Sequence, residues 1–206
     1  MFVIVMGVSG SGKSTIGRLL AERLGSPFYD GDDYHPPANV AKMAAGIPLD
    51  DADRADWLAE LAELITQGLA RSEGGVIACS ALKRQYRERL CIDHRRVRFV
   101  YLRGAYAAIW ARLQSREGHF MKAPMLQSQF DALEEPEEAV VVDASLEPGQ
   151  IIDGIMEQLM ETLPALGLLG LGVMGRSLAL NFERHGYQVI GYDLSLIHIS
   201  EPTRPY

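Results

Sequence analysis

Residues 7–15 read Gly-Val-Ser-Gly-Ser-Gly-Lys-Ser-Thr, and this stretch decides the fold. It contains the phosphate-loop spacing G-x-x-x-x-G-K-S, from Gly7 to Ser14. The apolar run Phe2–Met6 precedes it, and apolar residues at helical spacing follow within Ile16–Leu24. A loop of this pattern between a buried strand and a helix indicates a phosphate-binding site, and a Gly/Ser-rich turn is the weaker alternative.

The residue types of the loop suit an anionic ligand. Glycines allow backbone N–H groups to turn inward around a phosphate, and the helix that follows directs its positive dipole end at the same anion. Lys13 is expected to reach the outer phosphates, and the Ser14 hydroxyl is expected to bind Mg²⁺. We therefore predict nucleotide binding by Gly7, Ser9, Gly10, Ser11, Gly12, Lys13, Ser14 and Thr15.

Composition excludes several classes of protein. The chain has 206 residues, 48% of them hydrophobic, and a formal net charge of −7, which argues against a nucleic-acid partner. No apolar stretch is long enough to span a membrane, and the N-terminus does not resemble a signal peptide. Cys79 and Cys91 have no metal-type spacing. We expect a cytoplasmic protein with reduced thiols and no membrane partner.

Five short apolar runs are predicted strands, and helical patterns separate them. An α/β domain with a parallel sheet follows from this alternation. The clearest helix, Asp53–Leu69, carries an apolar stripe. The other predicted helices are 105–116 and 148–163, and the predicted strands are Phe2–Met6, Pro27–Tyr29, Val76–Cys79, Val97–Leu102 and Ala139–Val142.

An acidic segment follows the second predicted strand, and we expect it at the same sheet edge as the phosphate loop. Asp30 is the candidate for the metal side, and Asp32 is the candidate acceptor for the proton of an attacking alcohol. A solvated acidic turn is the alternative. Further candidate substrate contacts are His35, Asn39 and Lys42.

Basic residues elsewhere suit an anionic substrate. Arg54 could hold a carboxylate in bidentate fashion, and the alternative is a salt bridge to a neighbouring aspartate. Lys83 and Arg87 follow the third strand and are candidate contacts, with a solvated helix face as the alternative.

A candidate lid spans residues 112–133. Arg112 and Arg116 lie four residues apart, so that both could face the transferring phosphate, and Arg116 is the catalytic candidate. Gly118 and Pro124 mark a hinge, and His119 is a candidate lid contact to the substrate.

The chain changes character after Pro164. Gly170, Gly172 and Gly175 match the dinucleotide fingerprint G-x-G-x-x-G, and Asp193 follows a second apolar run. We predict a kinase-type domain at 1–164, a truncated Rossmann start at 165–194 without a working nucleotide site, and a tail at 195–206. That tail resembles a translated sequencing adapter, and a genuine flexible tail is the alternative.

With these pieces in order, the first part of the chain resembles the gluconokinase family of phosphate-loop carbohydrate kinases. The resemblance covers residues 1 to about 163 and rests on four blocks: GVSGSGKS at 7–14, DGDDYHPPANVAKMAAGIPLDDADRADWL at 30–58, CSALKRQYR at 79–87 and GHFMKAPMLQSQFDALEEP at 118–136. The last three blocks are far more particular than the phosphate loop.

This resemblance implies ATP-dependent phosphorylation of D-gluconate on its terminal hydroxyl, with Mg²⁺ as cofactor. It implies a five-stranded parallel sheet with helices on both faces and a mobile lid, as in nucleoside monophosphate and shikimate kinases. It also implies that Asp32 acts at the acceptor hydroxyl and that Arg54 binds the acceptor carboxylate. Homodimers occur in that family, so a homodimer is possible here.

The segment GLGVMGRSLALNFERHGYQVIGYD at 170–193 resembles the N-terminus of 6-phosphogluconate dehydrogenases. A fused gene for consecutive reactions would explain this order, and Asp193 would then favour NAD over NADP.

Three other functions compete with the gluconate kinase. The first is another small-molecule kinase, of the shikimate or nucleoside monophosphate type. The second is a nucleotide-dependent switch, but the chain lacks an Asn-Lys-x-Asp segment. The third is a dehydrogenase, which would need a catalytic domain after Asp193.

Overall fold

A computed structural model describes residues 1–115, 123–161, 165–169, 173–184 and 188–192. The chain divides into two compact units, Met1–Ile155 and Met156–Tyr206. The predicted domain boundary after residue 164 stays a prediction.

The first unit is built on a five-stranded parallel sheet with the strand order β2-β3-β1-β4-β5. The phosphate-loop strand therefore lies at the centre, where both of its neighbours pair with it. The strands are β1 Phe2–Met6, β2 Phe28–Asp30, β3 Gly75–Ala78, β4 Val97–Arg103 and β5 Ala139–Asp143. The predicted sheet is confirmed, and its predicted strands differ from these by only one residue at their ends.

Helices connect the strands. They are α1 Lys13–Leu24, α2 Pro37–Ala44, α3 Asp53–Ala70, α4 Arg84–Leu90, α5 Tyr106–Gln114, α6 Ala123–Ala132 and α7 Pro148–Glu161, and a 3-10 turn covers Gly31–Tyr34. The sequence predicted α3, α5 and α7 directly. It placed no bounds on α2 or on the 3-10 turn, because elements of only eight and four residues carry little periodicity.

The stripe on α3 forms the main core. Trp57, Leu58, Leu61, Ile65 and Leu69 are buried, and Leu64 is half-buried. They pack against alternate residues of β1, which carries Phe2, Ile4 and Met6 on that face. The intervening Val3 and Val5 are equally buried on the opposite face. Both faces of β1 are therefore covered, as expected for a central parallel strand.

The second unit contains a parallel strand pair joined by a helix: β6 Ala165–Leu169, α8 Val173–Arg184 and β7 Gln188–Tyr192. The predicted order of strand, helix and strand is present. Gly170, Gly172, Asp193 and the predicted tail lie outside the described residues.

Two expectations from composition concern cysteines and membranes. Cys79 and Cys91 are free, and burial raises the pKa of the Cys79 thiol to about 12, so it is protonated at neutral pH. Among the described residues, no helix has the length and apolarity needed to cross a membrane.

The acidic turn after β2 packs directly on the sheet at Gly31, where an added Cβ would lie 2.5 Å from the Ala78 carbonyl oxygen. We predict that Gly31→Ala lowers the free energy of unfolding by about 1–3 kcal/mol, because backbone must move to admit the methyl group. The matched control is Gly154→Ala in α7, where an added Cβ meets nothing within 4 Å. That variant should be neutral or more stable by up to about 1 kcal/mol. Urea unfolding of both variants measures the difference, and equal stability would contradict the close approach.

Candidate active site

The phosphate loop has the backbone conformation that its glycines predict. Gly7, Gly10 and Gly12 have φ angles of +141°, +83° and +100°, in a region that L-residues with side chains rarely adopt. An added Cβ at Gly10 would lie 2.8 Å from Leu113 in α5. The loop is therefore shaped by its own glycines and seated against α5.

Some backbone N–H groups of the loop bind carbonyl oxygens of the protein, and others are available to a ligand. The Gly7 N–H donates to the Ser80 carbonyl (3.3 Å), and the Ser11 N–H donates to the Val8 carbonyl (3.2 Å). The helix α1 begins at Lys13, and the first N–H groups of a helix have no partner within it. Those N–H groups, with the helix dipole behind them, form an anion site at the end of β1.

Lys13 lies over the loop. Its Nζ donates to the Val8 carbonyl (3.1 Å), which bends the side chain back along the loop. Burial lowers the pKa of this ammonium, and the carboxylates of Asp32 and Asp30 oppose that effect. The two acids therefore lie near enough to Lys13 to influence its charge.

The Ser14 hydroxyl donates to Asp30 Oδ2 at 2.9 Å, and the backbone N–H of Asp32 donates to Asp30 Oδ1 at 3.3 Å. Ser14 belongs to α1 and Asp30 ends β2, so this contact joins the phosphate loop to the acidic turn. Two oxygen atoms side by side at a phosphate site fit a cation such as Mg²⁺, which takes few ligands from the protein when phosphates supply others.

The acidic turn is anchored from α3. The indole N–H of Trp57 donates to the Gly31 carbonyl (2.6 Å), and the imidazole of His35 stacks on the indole ring with centroids 4.3 Å apart. Burial lowers the pKa of His35, Asp32 raises it, and Arg54 lowers it. The neutral form of His35 is therefore favoured, and Asp32, His35 and Arg54 are close neighbours.

Two of the predicted substrate contacts bind the start of α3 instead of projecting freely. The buried Asn39 side chain donates to the Asp53 carbonyl (2.6 Å), and Lys42 Nζ forms an ion pair with Asp53 (2.5 Å). Asp50 and Asp53 also accept each other's backbone N–H, as in a capping box. Asn39 and Lys42 hold this helix start in place, and their contact with substrate stays a prediction.

Arg54 lies near His35 of the acidic turn. Its Nη1 donates to the carbonyl oxygens of Leu49 and Asp50, and its guanidinium carbon lies 5.7 Å from the centroid of the Tyr86 ring. These contacts fix the guanidinium between α3 and α4. The predicted alternative, a salt bridge to a neighbouring aspartate, is not among the ion pairs of the described residues.

Asp51 is a hub that the sequence did not reveal. Its carboxylate accepts from Lys83 Nζ (2.6 and 2.9 Å), from Gln85 Nε2 (3.0 Å) and from the Tyr86 hydroxyl. The Lys83 ammonium, with the Tyr86 hydroxyl, lowers the pKa of Asp51 to about 2. Lys83 therefore clamps the start of α4 to the turn before α3, and any substrate contact by its ammonium would be shared with Asp51.

Arg87 is buried, and its Nη1 donates to the carbonyl oxygens of Ala81 (3.1 Å) and Leu82 (2.9 Å). Ala81 has a φ of +42°, so the guanidinium holds a strained turn after β3. This is a structural contact, and a substrate contact by Arg87 stays a prediction.

Arg112 lies beside a cavity of about 530 Å³ between the start of α5 and the turn after β5. Its Nη2 donates to the Ala144 carbonyl (2.6 Å) and so fixes one wall of the cavity. Ile109 lines this cavity and also packs near Gly10, which places the cavity next to the phosphate loop. Arg116 and His119 lie outside the described residues.

Comparison with known proteins agrees with this geometry. The family model described as shikimate kinase matches residues 9–159. A gluconokinase of Gluconobacter oxydans is 45% identical over 158 residues, which cover 75% of this chain and 89% of that protein. The chain belongs to the gluconokinase family. Its match to the shikimate kinase model places the chain in the wider group that this model describes.

Two further gluconokinases support the assignment. The thermosensitive gluconokinase of Escherichia coli K12 is 49% identical over 65% of this chain and 72% of its own length. The crystal structure of a gluconokinase from Sinorhizobium meliloti 1021 superposes with a TM-score of 0.71 at 38% identity, covering 87% of this chain and 95% of that one. The model described as the NAD binding domain of 6-phosphogluconate dehydrogenase matches residues 165–201. Both predicted resemblances are thereby confirmed.

The Asp51 hub predicts a pH dependence of stability. Its pKa in the folded protein lies below its ordinary value of 3.8, so its contribution to stability is present above about pH 4 and is lost as the pH falls towards 2. We expect wild type to be more stable than Asp51→Asn by a constant margin from pH 5 to 7, and this margin should shrink below pH 4. Denaturant unfolding at each pH measures the margin. Asp56→Asn is the control, because Asp56 is an exposed acid in the first turn of α3. A margin that does not change with pH would show that the Asp51 charge contributes nothing.

Proposed function

We propose that this chain catalyses the ATP-dependent phosphorylation of D-gluconate on its terminal hydroxyl, with 6-phospho-D-gluconate and ADP as products. The observation that carries the proposal is the bond from Ser14 to Asp30, which brings the phosphate loop and the acidic turn to one sheet edge. Curated relatives named gluconokinase, at 39–49% identity, support the choice of substrate.

The phosphate loop is proposed to bind the triphosphate. Its inward N–H groups and the start of α1 supply fixed dipoles, which need no reorganisation when charge moves during the reaction. Lys13 supplies a positive charge at the outer phosphates. The half-buried position of Lys13 strengthens that interaction, because less water screens the charge there.

A magnesium ion is proposed to be held by the Ser14 hydroxyl and the Asp30 carboxylate, together with phosphate oxygens of ATP. The ion, when bound, neutralises charge on the phosphates. Ser14 and Asp30 already lie 2.9 Å apart, so neither element has to move far to share one cation.

Asp32 is proposed to accept the proton of the gluconate hydroxyl. The hydroxyl oxygen forms a bond to the γ-phosphorus while the bond from that phosphorus to the β–γ bridging oxygen breaks, and ADP leaves with the electron pair. Support comes from the position of Asp32, two residues beyond Asp30, and from its influence on both Lys13 and His35.

Arg54 is proposed to bind the carboxylate at the other end of gluconate. Its backbone contacts to Leu49 and Asp50 hold the guanidinium in one orientation, which suits a planar anion. The neutral His35, which stacks on Trp57, is proposed to offer a hydrogen bond to a hydroxyl of gluconate.

The cavity beside Arg112 supports binding of the nucleoside part of ATP. It adjoins the loop through Ile109, and its volume of about 530 Å³ is sufficient for a nucleoside. Arg116 and His119 stay predictions for the lid, as does the homodimer. The net charge of −7 supports the absence of a nucleic-acid partner, and we infer a cytoplasmic location.

The second family model supports a link to the next reaction. It describes a 6-phosphogluconate dehydrogenase domain, and 6-phosphogluconate is the product proposed for the kinase. We infer that residues 165–194 derive from an enzyme that consumes this product.

Because the shikimate kinase model matches residues 9–159, shikimate is an alternative substrate to test. A coupled ADP-release assay with gluconate, shikimate and the common nucleoside monophosphates separates the candidates. We expect release with gluconate alone and none from Lys13→Ala. Release with shikimate or a monophosphate, and none with gluconate, would overturn the proposal.

Replacing Asp32 tests the proton acceptor. Asp32→Asn should lower kcat by about 100-fold or more, because the amide cannot accept the proton, while affinity for an ATP analogue changes little. The neighbouring exposed Asp33 provides the control, since Asp33→Asn should retain nearly full turnover. Equal losses of kcat and nucleotide affinity in Asp32→Asn would instead indicate a structural acid.

Replacing Arg54 tests the carboxylate contact. Arg54→Ala should raise the KM for gluconate by about tenfold or more and leave the KM for ATP nearly unchanged, because the lost contact is to the acceptor. Arg71→Ala is the control, since Arg71 follows the other end of α3 and pairs with Glu73 on the surface. An unchanged KM for gluconate in Arg54→Ala would refute this role.

A further inference from the structure

Gln129 in α6 forms a paired contact with the phosphate loop across 120 residues of sequence. The Ser9 N–H donates to Gln129 Oε1 at 2.7 Å, and Gln129 Nε2 donates to the Ser9 hydroxyl at 3.1 Å. The backbone N–H requires an acceptor, so the amide group has one orientation that satisfies both bonds.

The surrounding packing holds Gln129 in this position. Leu126, one turn earlier in α6, is fully buried in a cluster that also contains Val8 and Leu113. Leu126 thus belongs to the same core cluster as Val8 of the loop, and Gln129 contacts Ser9, the next residue of the loop. The Val8 carbonyl also accepts from Lys13 Nζ.

Because of this contact, the Ser9 N–H binds Gln129 and is not among the loop N–H groups available to a ligand. The Ser9 N–H is directed to Gln129, whereas the N–H groups at the start of α1 have no partner within the helix. Without Gln129, the half-buried Ser9 N–H would lack its acceptor, and the loop tip could turn to find another. The tip, with Gly10 against Leu113, is thus fixed from both sides.

We propose that Gln129 is a positioning residue of the phosphate loop, which holds Ser9 so that the loop tip stays in the conformation that receives the triphosphate. The proposal rests on the proposed kinase function. It adds that α6, which lies within the candidate lid segment 112–133, also supports the nucleotide site.

The test is Gln129→Met in the full chain, a variant of similar length that keeps the packing and removes both hydrogen bonds. We expect about a tenfold loss in kcat/KM for ATP and a similar loss of affinity for a nonhydrolysable ATP analogue. The KM for gluconate should stay within about twofold, and the thermal midpoint within about 5 °C of wild type. Gln127→Met is the matched control, because Gln127 is exposed and donates to Asp131 within the same helix.

A double-mutant cycle tests the pairing itself. Ser9→Ala removes the hydroxyl half of the contact, so it should cost less in Gln129→Met than in wild type. Full additivity, or wild-type affinity of Gln129→Met for the ATP analogue, would overturn the proposal. Parallel losses for ATP and gluconate with a lowered thermal midpoint would overturn it too, since they would indicate general destabilisation. If wild type fails to phosphorylate gluconate while Gln129→Met still loses affinity for the analogue, the proposed function fails and the role of Gln129 stands.

Discussion

The hydrogen bond from Ser14 to Asp30 joins the phosphate loop, which follows β1, to the acidic turn, which follows β2. Ser14 belongs to the phosphate loop after β1, and Asp30 ends β2, with Asp32 two residues further on. A phosphoryl donor and its acceptor must meet within a few ångströms, so a kinase needs such a contact between its two binding regions. Other features of the site maintain this contact: the indole of Trp57 holds the Gly31 carbonyl, and Gly31 lies directly against β3.

The sheet order explains why these regions meet. With the order β2-β3-β1-β4-β5, the loop strand is central, and β2 lies one strand beyond β3. All strands are parallel, so their carboxyl ends share one edge, where ligands of α/β folds bind. The turn after β3 lies between the two and is held by the buried Arg87.

Local patterns predicted the sheet and the phosphate loop because buried parallel strands are continuous apolar runs and the loop's glycines have fixed spacing. The pairing of charges was not predictable in the same way. The sequence suggested a substrate contact or a solvated helix face for Lys83, yet its partner Asp51 lies 32 residues earlier. Gln129 likewise lies 120 residues from its partner Ser9. Asn39 and Lys42 were candidate substrate contacts, but their side chains bind Asp53 at the start of α3. Partners of this kind depend on tertiary structure, which no local spacing encodes.

The orientation of gluconate relative to the metal that we propose at Ser14 and Asp30 tests this arrangement most directly. With Mn²⁺ in place of Mg²⁺ and a nonhydrolysable ATP analogue bound, the paramagnetic relaxation of the gluconate protons reports their distances from the metal. The account predicts the strongest relaxation at the protons on the terminal carbon beside the reacting hydroxyl, falling steadily towards the carboxylate held at Arg54. Uniform relaxation, or the strongest effect at the carboxylate end, would contradict it.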